Sequence, residues 1–254
     1  RLAVEESRMK IPLIFGLDVI HGYRTIFPIP LAQSSSWDMA AIEKASQIAA
    51  SEATAEGICW TFAPMIDISR DPRWGRVAEG PGEDTWLACQ IGPAIVRGLQ
   101  GKSLADNNTL LACVKHFAAY GAPQAGRDYH TVDMSKISLL EWYLPPYKSC
   151  VDAGVETVMG SFNEIAGMPS TCNTWLLTDL LRDQWGFGGF VVSDYTAIKE
   201  LTCHGVAADL KEAALISLNA GMDMDMESSA YLKRIPELVD EGKLDIRKID
   251  DAAR

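Results

Sequence analysis

The chain has 254 residues, of which 48% are hydrophobic and 22% are charged, and its formal net charge is −11. The length and the apolar share fit one folded α/β domain and exclude a disordered chain. The excess of acidic residues argues against nucleic acid or an anionic membrane surface as a partner and fits a neutral ligand better. No run of about eighteen or more apolar residues occurs, so no membrane-spanning helix is predicted.

Short apolar runs and longer amphipathic segments alternate along the chain. The predicted strands cover residues 11–19, 60–68, 110–117, 155–162, the run that ends at Asp194, and 222–226. The predicted helices cover residues 1–10, 37–57, 83–99, 136–153, 173–185, 207–219, 231–241 and 246–254. The loop of residues 118–135 is long for such a chain, which usually signals function or mobility.

The alternation of strands and helices predicts a parallel sheet. About six strands are visible where a (β/α)8 barrel has eight. A TIM barrel that lacks its first strand, which would precede Arg1, explains this number best. An open doubly wound sheet is the structural alternative, and it is weaker because no G-x-G-x-x-G loop follows the first strand and no P-loop sequence occurs.

The cysteines and the N-terminus carry little functional signal. Six cysteines are scattered without C-x-x-C spacing, mostly in apolar contexts. Buried free thiols are therefore predicted, rather than a metal site or a disulfide framework, and no cofactor is predicted. The chain starts at Arg1 without the pattern of a signal peptide, so a processed or cut start is expected.

One predicted strand ends on a carboxylate. It is a short β-branched run, bounded by glycines, that finishes at Asp194. Such a run is typical of a strand buried on both faces, and a charge at its end is costly unless something satisfies or uses it. In parallel α/β barrels catalytic side chains lie at this end of the strands, so Asp194 is predicted to be the centre of an active site.

Polar side chains recur at the ends of other predicted strands. They are Asp18, Arg76, Lys115 and His116. A single buried Asp often caps a helix or pairs with an Arg, but five groups at corresponding strand ends indicate one site. A carboxylate accepts two hydroxyl groups at once and the other side chains donate, so the set suits a sugar. An aromatic ring, Tyr195 or one of Trp60 and Trp74, would cover an apolar sugar face, and for both tryptophans the core is the better interpretation.

Several sequence blocks, in this order, resemble glycoside hydrolase family 3, in particular its bacterial β-glucosidase branch. They are FGLDVIHG (15–22), DPRWGR (71–76), KHF (115–117), RDY (127–129) and VVSD (191–194). The resemblance runs essentially end to end. It implies that residues 1–254 are one N-terminal catalytic barrel domain, incomplete here, whose α/β sandwich partner domain lies elsewhere. It also suggests a periplasmic or secreted location.

The resemblance implies retaining, exo-acting hydrolysis of β-D-glucosyl ends, with Asp194 as the nucleophile that forms a covalent glycosyl-enzyme. The side chains implied to hold the sugar are Asp18, Arg76, Lys115, His116 and Arg127, with Met159 and Phe162 lining the pocket. A Tyr often stands in the family at the position of Phe162, where it touches the nucleophile.

Retaining hydrolysis needs a second group that protonates the leaving oxygen. The resemblance implies a Glu of the sandwich domain, which this sequence does not reach. Among the loop glutamates, Glu79 is expected to anchor the Arg76 loop and Glu83 to open a helix, which leaves Glu164 as the best candidate within the chain.

Two other hypotheses stay open. The single-domain β-N-acetylglucosaminidase branch uses an Asp-x-His pair on a mobile loop, and Asp128 and His130 have that spacing. The residues around them do not follow that branch, so a surface position for His130 is favoured. The third hypothesis is a sugar-binding barrel with little turnover, because its acid is missing.

Overall fold

A computed structural model describes residues 1–253. Its main sheet contains five parallel strands, and a separate two-stranded antiparallel hairpin follows the fourth of them. In chain order the strands are β1 (Gly16–Leu17), β2 (Trp60–Thr61), β3 (Leu111–Phe117), β4 (Thr157–Gly160), the hairpin strands β5 (Glu164–Ile165) and β6 (Met168–Pro169), and β7 (Phe190–Val192).

Helices connect the strands. The α-helices are α1 (Pro30–Ser34), α2 (Met39–Ala55), α3 (Thr85–Gln100), α4 (Lys136–Ser138), α5 (Pro145–Asp152), α6 (Ala197–Glu200), α7 (Leu210–Ala220), α8 (Ala230–Asp240) and α9 (Ile246–Ala252). Three π-helical segments, Leu2–Glu6, Leu139–Tyr143 and Trp175–Gln184, and three 3-10 turns, Val77–Glu79, Gln124–Gly126 and Ser170–Cys172, complete the helical structure of residues 1–253. None of the helices in that part of the chain is long and apolar enough to cross a membrane.

The order of the strands in the main sheet is the order of the chain: β1, β2, β3, β4, β7. A bridge between Val192 and Met224 continues the sheet beyond β7 in the same parallel sense. A doubly wound sheet reverses its strand order at a switch point. This sheet does not reverse, so the doubly wound alternative is wrong, and the predicted parallel α/β fold is confirmed.

The middle strands are buried on both faces, as the β-branched run before Asp194 predicted. Successive side chains of a strand point to opposite faces. Val191 points to the face of the sheet that the helices cover and packs into the large cluster there. Its neighbour Val192 points to the opposite face, the inner face, where it packs with Trp60 and Met159. Across that inner face the Trp60 indole N–H donates a hydrogen bond of 3.0 Å to the hydroxyl of Thr157 on β4. The inner face is therefore a packed core.

The second and third helices pack closely against each other because of one glycine. A Cβ built on Gly98 of α3 would lie 2.5 Å from the backbone oxygen of Glu43 on α2. Any side chain at this position would push the helices apart. The predicted helices at 37–57 and 83–99 form as α2 and α3, and Asp38 and Asp84 cap them by accepting backbone N–H groups.

Several sequence predictions differ from the structure, three of them within the first seventy residues. The strand predicted at 11–19 pairs only over Gly16–Leu17, since its other edge has no neighbouring strand within residues 1–253. The strand predicted at 60–68 stops after Thr61, and Pro64, which has no N–H to donate, interrupts it. The N-terminal segment Leu2–Glu6 is helical but buries no residue, so the predicted amphipathic face is absent there.

The cysteines are free thiols, as predicted. Burial holds only for Cys113 and Cys150, and it raises the pKa of the Cys113 thiol to about 12. Cys59 and Cys203 are exposed, so the prediction of burial was wrong for them.

Candidate active site

One cavity of about 600 Å³ opens where the strands of the main sheet end. Its lining residues are Asp18, Ile20, Phe62, Arg76, Glu79, Lys115, His116, Met159, Asp194, Tyr195 and Met226. All five polar residues that the sequence placed at strand ends are among them. The parallel direction of the strands explains this, because it puts all their carboxyl ends at one edge.

Asp194 lies at the end of β7 and is 9% exposed. Its Oδ1 accepts a hydrogen bond of 2.7 Å from the backbone N–H of Tyr195, and its Oδ2 lies 3.5 Å from Nε2 of His116. Within residues 1–253, Oδ2 accepts no hydrogen bond. Burial raises the pKa of Asp194, and His116, the Tyr195 N–H and Lys115 offset part of that rise. The side chain is thus an under-coordinated carboxylate beside a cavity.

Lys115 and His116 are consecutive on β3, yet both reach the cavity. The pairing of β3 with β4 shifts by one residue between Val114 and Phe117, which forms a β-bulge. A bulge redirects side chains that would otherwise point to opposite faces. Nζ of Lys115 donates to Oδ1 of Asp18 at 2.6 Å; the Lys115 side chain is 5% exposed and that of Asp18 is 58% exposed.

A buried carboxylate that the sequence analysis did not select contacts His116 on the side of the ring away from Asp194. Asp67 is completely buried, and its Oδ2 accepts from the backbone N–H of His116 at 3.0 Å and lies 2.9 Å from Nδ1 of the ring. The hydroxyl of Tyr147 on α5 lies 2.7 Å from the other oxygen of Asp67. Asp67 stands near the end of the predicted strand 60–68, so the signal that selected Asp194, a carboxylate closing a buried run, was present here too.

Arg76 enters the cavity from the loop after β2. It donates from Nε and Nη2 to the two carboxylate oxygens of Glu79, at 2.7 and 2.9 Å, as the sequence analysis expected. Burial alone would lower the pKa of Arg76 and raise that of Glu79, but their ion pair outweighs it in both cases. Arg76 therefore stays cationic and Glu79 stays a carboxylate.

The long loop keeps its candidate residues outside the cavity lining. Arg127 and His130 are exposed. Oδ1 of Asp128 accepts a hydrogen bond of 2.9 Å from the indole N–H of buried Trp74. Asp128 is thus tied to Trp74, and no hydrogen bond joins it to His130 among the described residues.

Glu164 also lies outside the cavity lining. Its Oε1 accepts from the Thr131 hydroxyl at 2.6 Å, and its Oε2 is 3.8 Å from Nδ1 of His204. These partners hold Glu164, the first residue of β5, between the long loop and the segment that follows α6.

Aromatic and apolar groups complete the surroundings. Met159 is buried on the inner face, Phe162 is buried beside Trp74, and Tyr195 is exposed at the rim of the cavity. The ring of Tyr129 packs 4.6 Å from that of Phe162. Burial and neighbouring carboxylates, among them Asp194, raise the pKa of Tyr129 to about 12.

The family model described as "Glycosyl hydrolase family 3 N terminal domain" matches residues 1–254. The chain belongs to glycosyl hydrolase family 3. The resemblance seen in the sequence blocks is thereby confirmed.

Relatives within glycosyl hydrolase family 3 are close. The periplasmic β-glucosidase of Salmonella typhimurium is 50% identical over 248 residues, which make up 98% of this chain and 32% of that protein. A β-xylosidase of Formosa agariphila is 40% identical over 211 residues, covering 81% of this chain and 29% of that protein. The crystal structure of a β-glucosidase from Listeria innocua in complex with glucose matches with a TM-score of 0.96 and 46% identity, covering 98% of this chain and 35% of that one. The chain thus spans about a third of the length of these relatives.

Proposed function

We propose that residues 1–254 belong to a retaining, exo-acting β-glucosidase that releases β-D-glucosyl units from non-reducing ends, and that they form its single N-terminal catalytic barrel domain. The observation that carries the proposal is the buried Asp194 carboxylate, with one oxygen unpaired, beside a cavity lined by sugar-binding groups. The likeness to β-glucosidases of Salmonella typhimurium and Listeria innocua supports it. The strand order of the main sheet, which follows the order of the chain, supports a (β/α)8 barrel.

In this mechanism Asp194 attacks the anomeric carbon and forms a glycosyl ester, while the bond to the leaving oxygen breaks. Water then attacks the same carbon and releases the sugar with its original configuration. Asp18 accepts hydrogen bonds from sugar hydroxyls at the exposed rim, Lys115 donates to the sugar from the buried side, and His116 faces the sugar with Nε2. Tyr195 covers an apolar sugar face from the rim.

Further contacts with the sugar are proposed from the cavity lining and from the family resemblance. Arg76 donates to a sugar hydroxyl while Glu79 holds its other edge. Met159 shapes the apolar wall, whereas Phe162 does not line the cavity and is proposed from the family resemblance alone. Arg127 is proposed from the family resemblance alone, and to reach the sugar its loop would have to turn toward the cavity.

The general acid is proposed to come from a sandwich domain outside residues 1–254. The cavity is lined by three carboxylates, of which Asp194 is the nucleophile, and Asp18 and Glu79 are paired with Lys115 and Arg76. The lowered pKa of Glu79 makes it a poor proton donor. Glu164 and the Asp128–His130 pair do not line the cavity, which weighs against them as the acid and against an N-acetylhexosaminidase.

A glucosyl substrate is preferred over a xylosyl one because β-glucosidases are more similar to the chain than the β-xylosidase is. The two sugars differ by one hydroxymethyl group. A periplasmic or secreted location is proposed from the printed name of the Salmonella typhimurium relative.

The test is to trap the covalent intermediate. The full-length protein is incubated with 2,4-dinitrophenyl 2-deoxy-2-fluoro-β-D-glucoside, digested, and mapped by mass spectrometry. The expected label lies on Asp194, and the matching fluoroxyloside should react more slowly. A label on another residue, or none, contradicts the proposal.

Two further assays separate the alternatives. Replacing His130 by Ala should leave glucoside cleavage unchanged, whereas an N-acetylhexosaminidase would lose N-acetylglucosaminide cleavage. A sugar-binding barrel would cleave dinitrophenyl glucosides, whose leaving group needs little protonation, but hardly any natural disaccharide.

A further inference from the structure

Asp67 is a charged group in the interior that does not line the cavity. Its side chain is 0% exposed, in the loop that follows β2. Burying a lone carboxylate is costly, so its partners must compensate it. It has three such contacts: the backbone N–H of His116, the Nδ1 edge of the His116 ring, and the Tyr147 hydroxyl. Two of the three belong to one residue of the proposed site.

The Tyr147 hydroxyl ties this arrangement to the backbone. It lies 2.7 Å from Oδ1 of Asp67 and also 2.7 Å from the backbone oxygen of His116. Tyr147 is itself buried on α5. His116 is thus held at its backbone N–H and one ring nitrogen by Asp67, and the single Tyr147 hydroxyl proton is shared between Asp67 and the His116 carbonyl oxygen.

The contacts also determine where the ring proton lies. Burial would raise the pKa of Asp67, but the hydrogen bonds from His116 and Tyr147 hold it below its ordinary value, so Asp67 is a carboxylate that can only accept. Nδ1 of His116 must therefore carry a proton. Nε2 then points to the opposite side, 3.5 Å from Oδ2 of Asp194, and the ring packs edge-to-face on Tyr120 at 5.1 Å.

We propose that Asp67 is a positioning residue for hydrolysis: it keeps the His116 ring in one tautomer and one orientation, with Nε2 directed at Asp194 and the sugar. The inference rests on the proposed function of the Asp194 site. Without Asp67 the ring can turn over or exchange its proton between nitrogens, and the sugar loses a fixed partner beside the nucleophile. Groups that orient a metal-binding histidine through its second nitrogen typically contribute about 10–100-fold to activity, and we expect a loss of the same order when Asp67 is replaced.

A double-mutant cycle separates this role from a general structural one. The rate of dinitrophenyl glucoside cleavage is measured for the full-length protein, Asp67→Ala, His116→Gln and the double variant. If Asp67 acts through His116, Asp67→Ala lowers kcat/KM by about 100-fold in the native background and by less than about threefold when His116 is already replaced. Equal losses in both backgrounds would overturn the proposal.

Two further variants distinguish the loss of positioning from a folding defect. Asp67→Asn keeps the side-chain volume and one acceptor facing the His116 N–H groups, so its kcat/KM should fall only about tenfold. The cycle can be repeated with this variant if Asp67→Ala does not fold. Asp223→Ala removes a partly buried carboxylate, which accepts from the Val191 N–H at 2.7 Å, pairs with Arg182 and lies outside the cavity lining. Its effect on kcat/KM should be the same in both His116 backgrounds.

The trapping reaction of the native protein is carried out first. Failure to label Asp194 contradicts the proposed function. Labelling at Asp194 combined with equal losses in the cycle contradicts only the positioning role of Asp67.

Discussion

Asp194 and Asp18 face the same cavity, but their side chains are 12% and 58% exposed. The difference comes from the strands that carry them. β7 lies between β4 and the Met224 bridge, with a core on each face, whereas β1 pairs with β2 alone and both of its residues are exposed. One side of the cavity is therefore buried and closely packed, and the other is an open rim.

The two carboxylates have different tasks. A carboxylate that must attack a carbon gains from fixed dipoles and from exclusion of water, and the buried side supplies both. A carboxylate that accepts sugar hydroxyls works at an open rim, where its charge is screened until a ligand covers it. Substitutions on the buried side should accordingly affect chemistry, and substitutions at the rim should affect sugar affinity.

The largest effect is expected for the nucleophile. Asp194→Gly should lower kcat for dinitrophenyl glucoside by roughly 10⁴-fold or more, because no other group can form the glycosyl ester. Added azide should restore cleavage and yield the glucosyl azide of inverted configuration. Steady-state rates and product analysis by NMR measure both.

The matched control is Asp223→Asn, which removes a partly buried carboxylate charge (its side chain is 13% exposed, against 12% for Asp194) but lies outside the cavity lining. Its kcat should stay within a few-fold of the native value. An equal loss in both variants would mean that the loss reflects folding, and that the buried side of the cavity has no special role.

A smaller effect is expected at the rim. Asp18→Asn removes one charged acceptor, which contributes about 1.5–3 kcal/mol to binding a hydroxyl, so kcat/KM should fall roughly 10–100-fold. The loss should appear mainly in KM. Among monodeoxyglucosides, the one that lacks the partner hydroxyl should be cleaved equally by both proteins, and equal losses with every deoxy sugar would contradict a direct contact.

The sequence predicted most of the middle of the fold. The helices α2, α3, α7 and α8 form where the sequence predicts helices, and β3 and β7 follow apolar runs that are buried on both faces. The region near residues 11–19 was overpredicted because a strand needs neighbours, and one sequence does not show where a neighbour is missing. The hairpin β5–β6 was missed because its strands are two residues long.

The site was predicted as far as strand ends could define it. Asp18, Lys115, His116 and Asp194 each follow or end an apolar run, and parallel strands bring such ends together. Asp67 also stands near the end of an apolar run and could have been selected by the same signal, but its contact with the Nδ1 edge of His116 depends on a bulge in β3 that the sequence pattern does not reveal. The roles given to these residues stay predictions until the labelling experiment is done.

The raised pKa of Asp194 gives a pH prediction with a defined sign. The nucleophile must be ionised, so the acid limb of kcat/KM should lie above the ordinary aspartate value of 3.8. The unfolded chain loses this proton at lower pH than the folded one, so the native protein loses stability as pH rises from 3.8 through the folded pKa. Asp194→Asn should therefore raise Tm at pH 7 and leave it unchanged near pH 3. A lower Tm at pH 7 would show that the folded state stabilises the charge.

The smallest effect is expected on the side of the sheet where β1 has no further neighbour. Leu13 is 65% exposed and Leu110 is 0% exposed. In the chain of residues 1–254, Leu110→Ala should cost about 2–5 kcal/mol of unfolding free energy, because it leaves a cavity in the core. Leu13→Ala should stay within about 0.5 kcal/mol, since its methyl groups already contact water. Urea titrations of both variants measure the difference. The same titrations are then repeated in the full-length protein. If Leu13→Ala lowers the unfolding free energy strongly only there, the rest of the protein covers this edge.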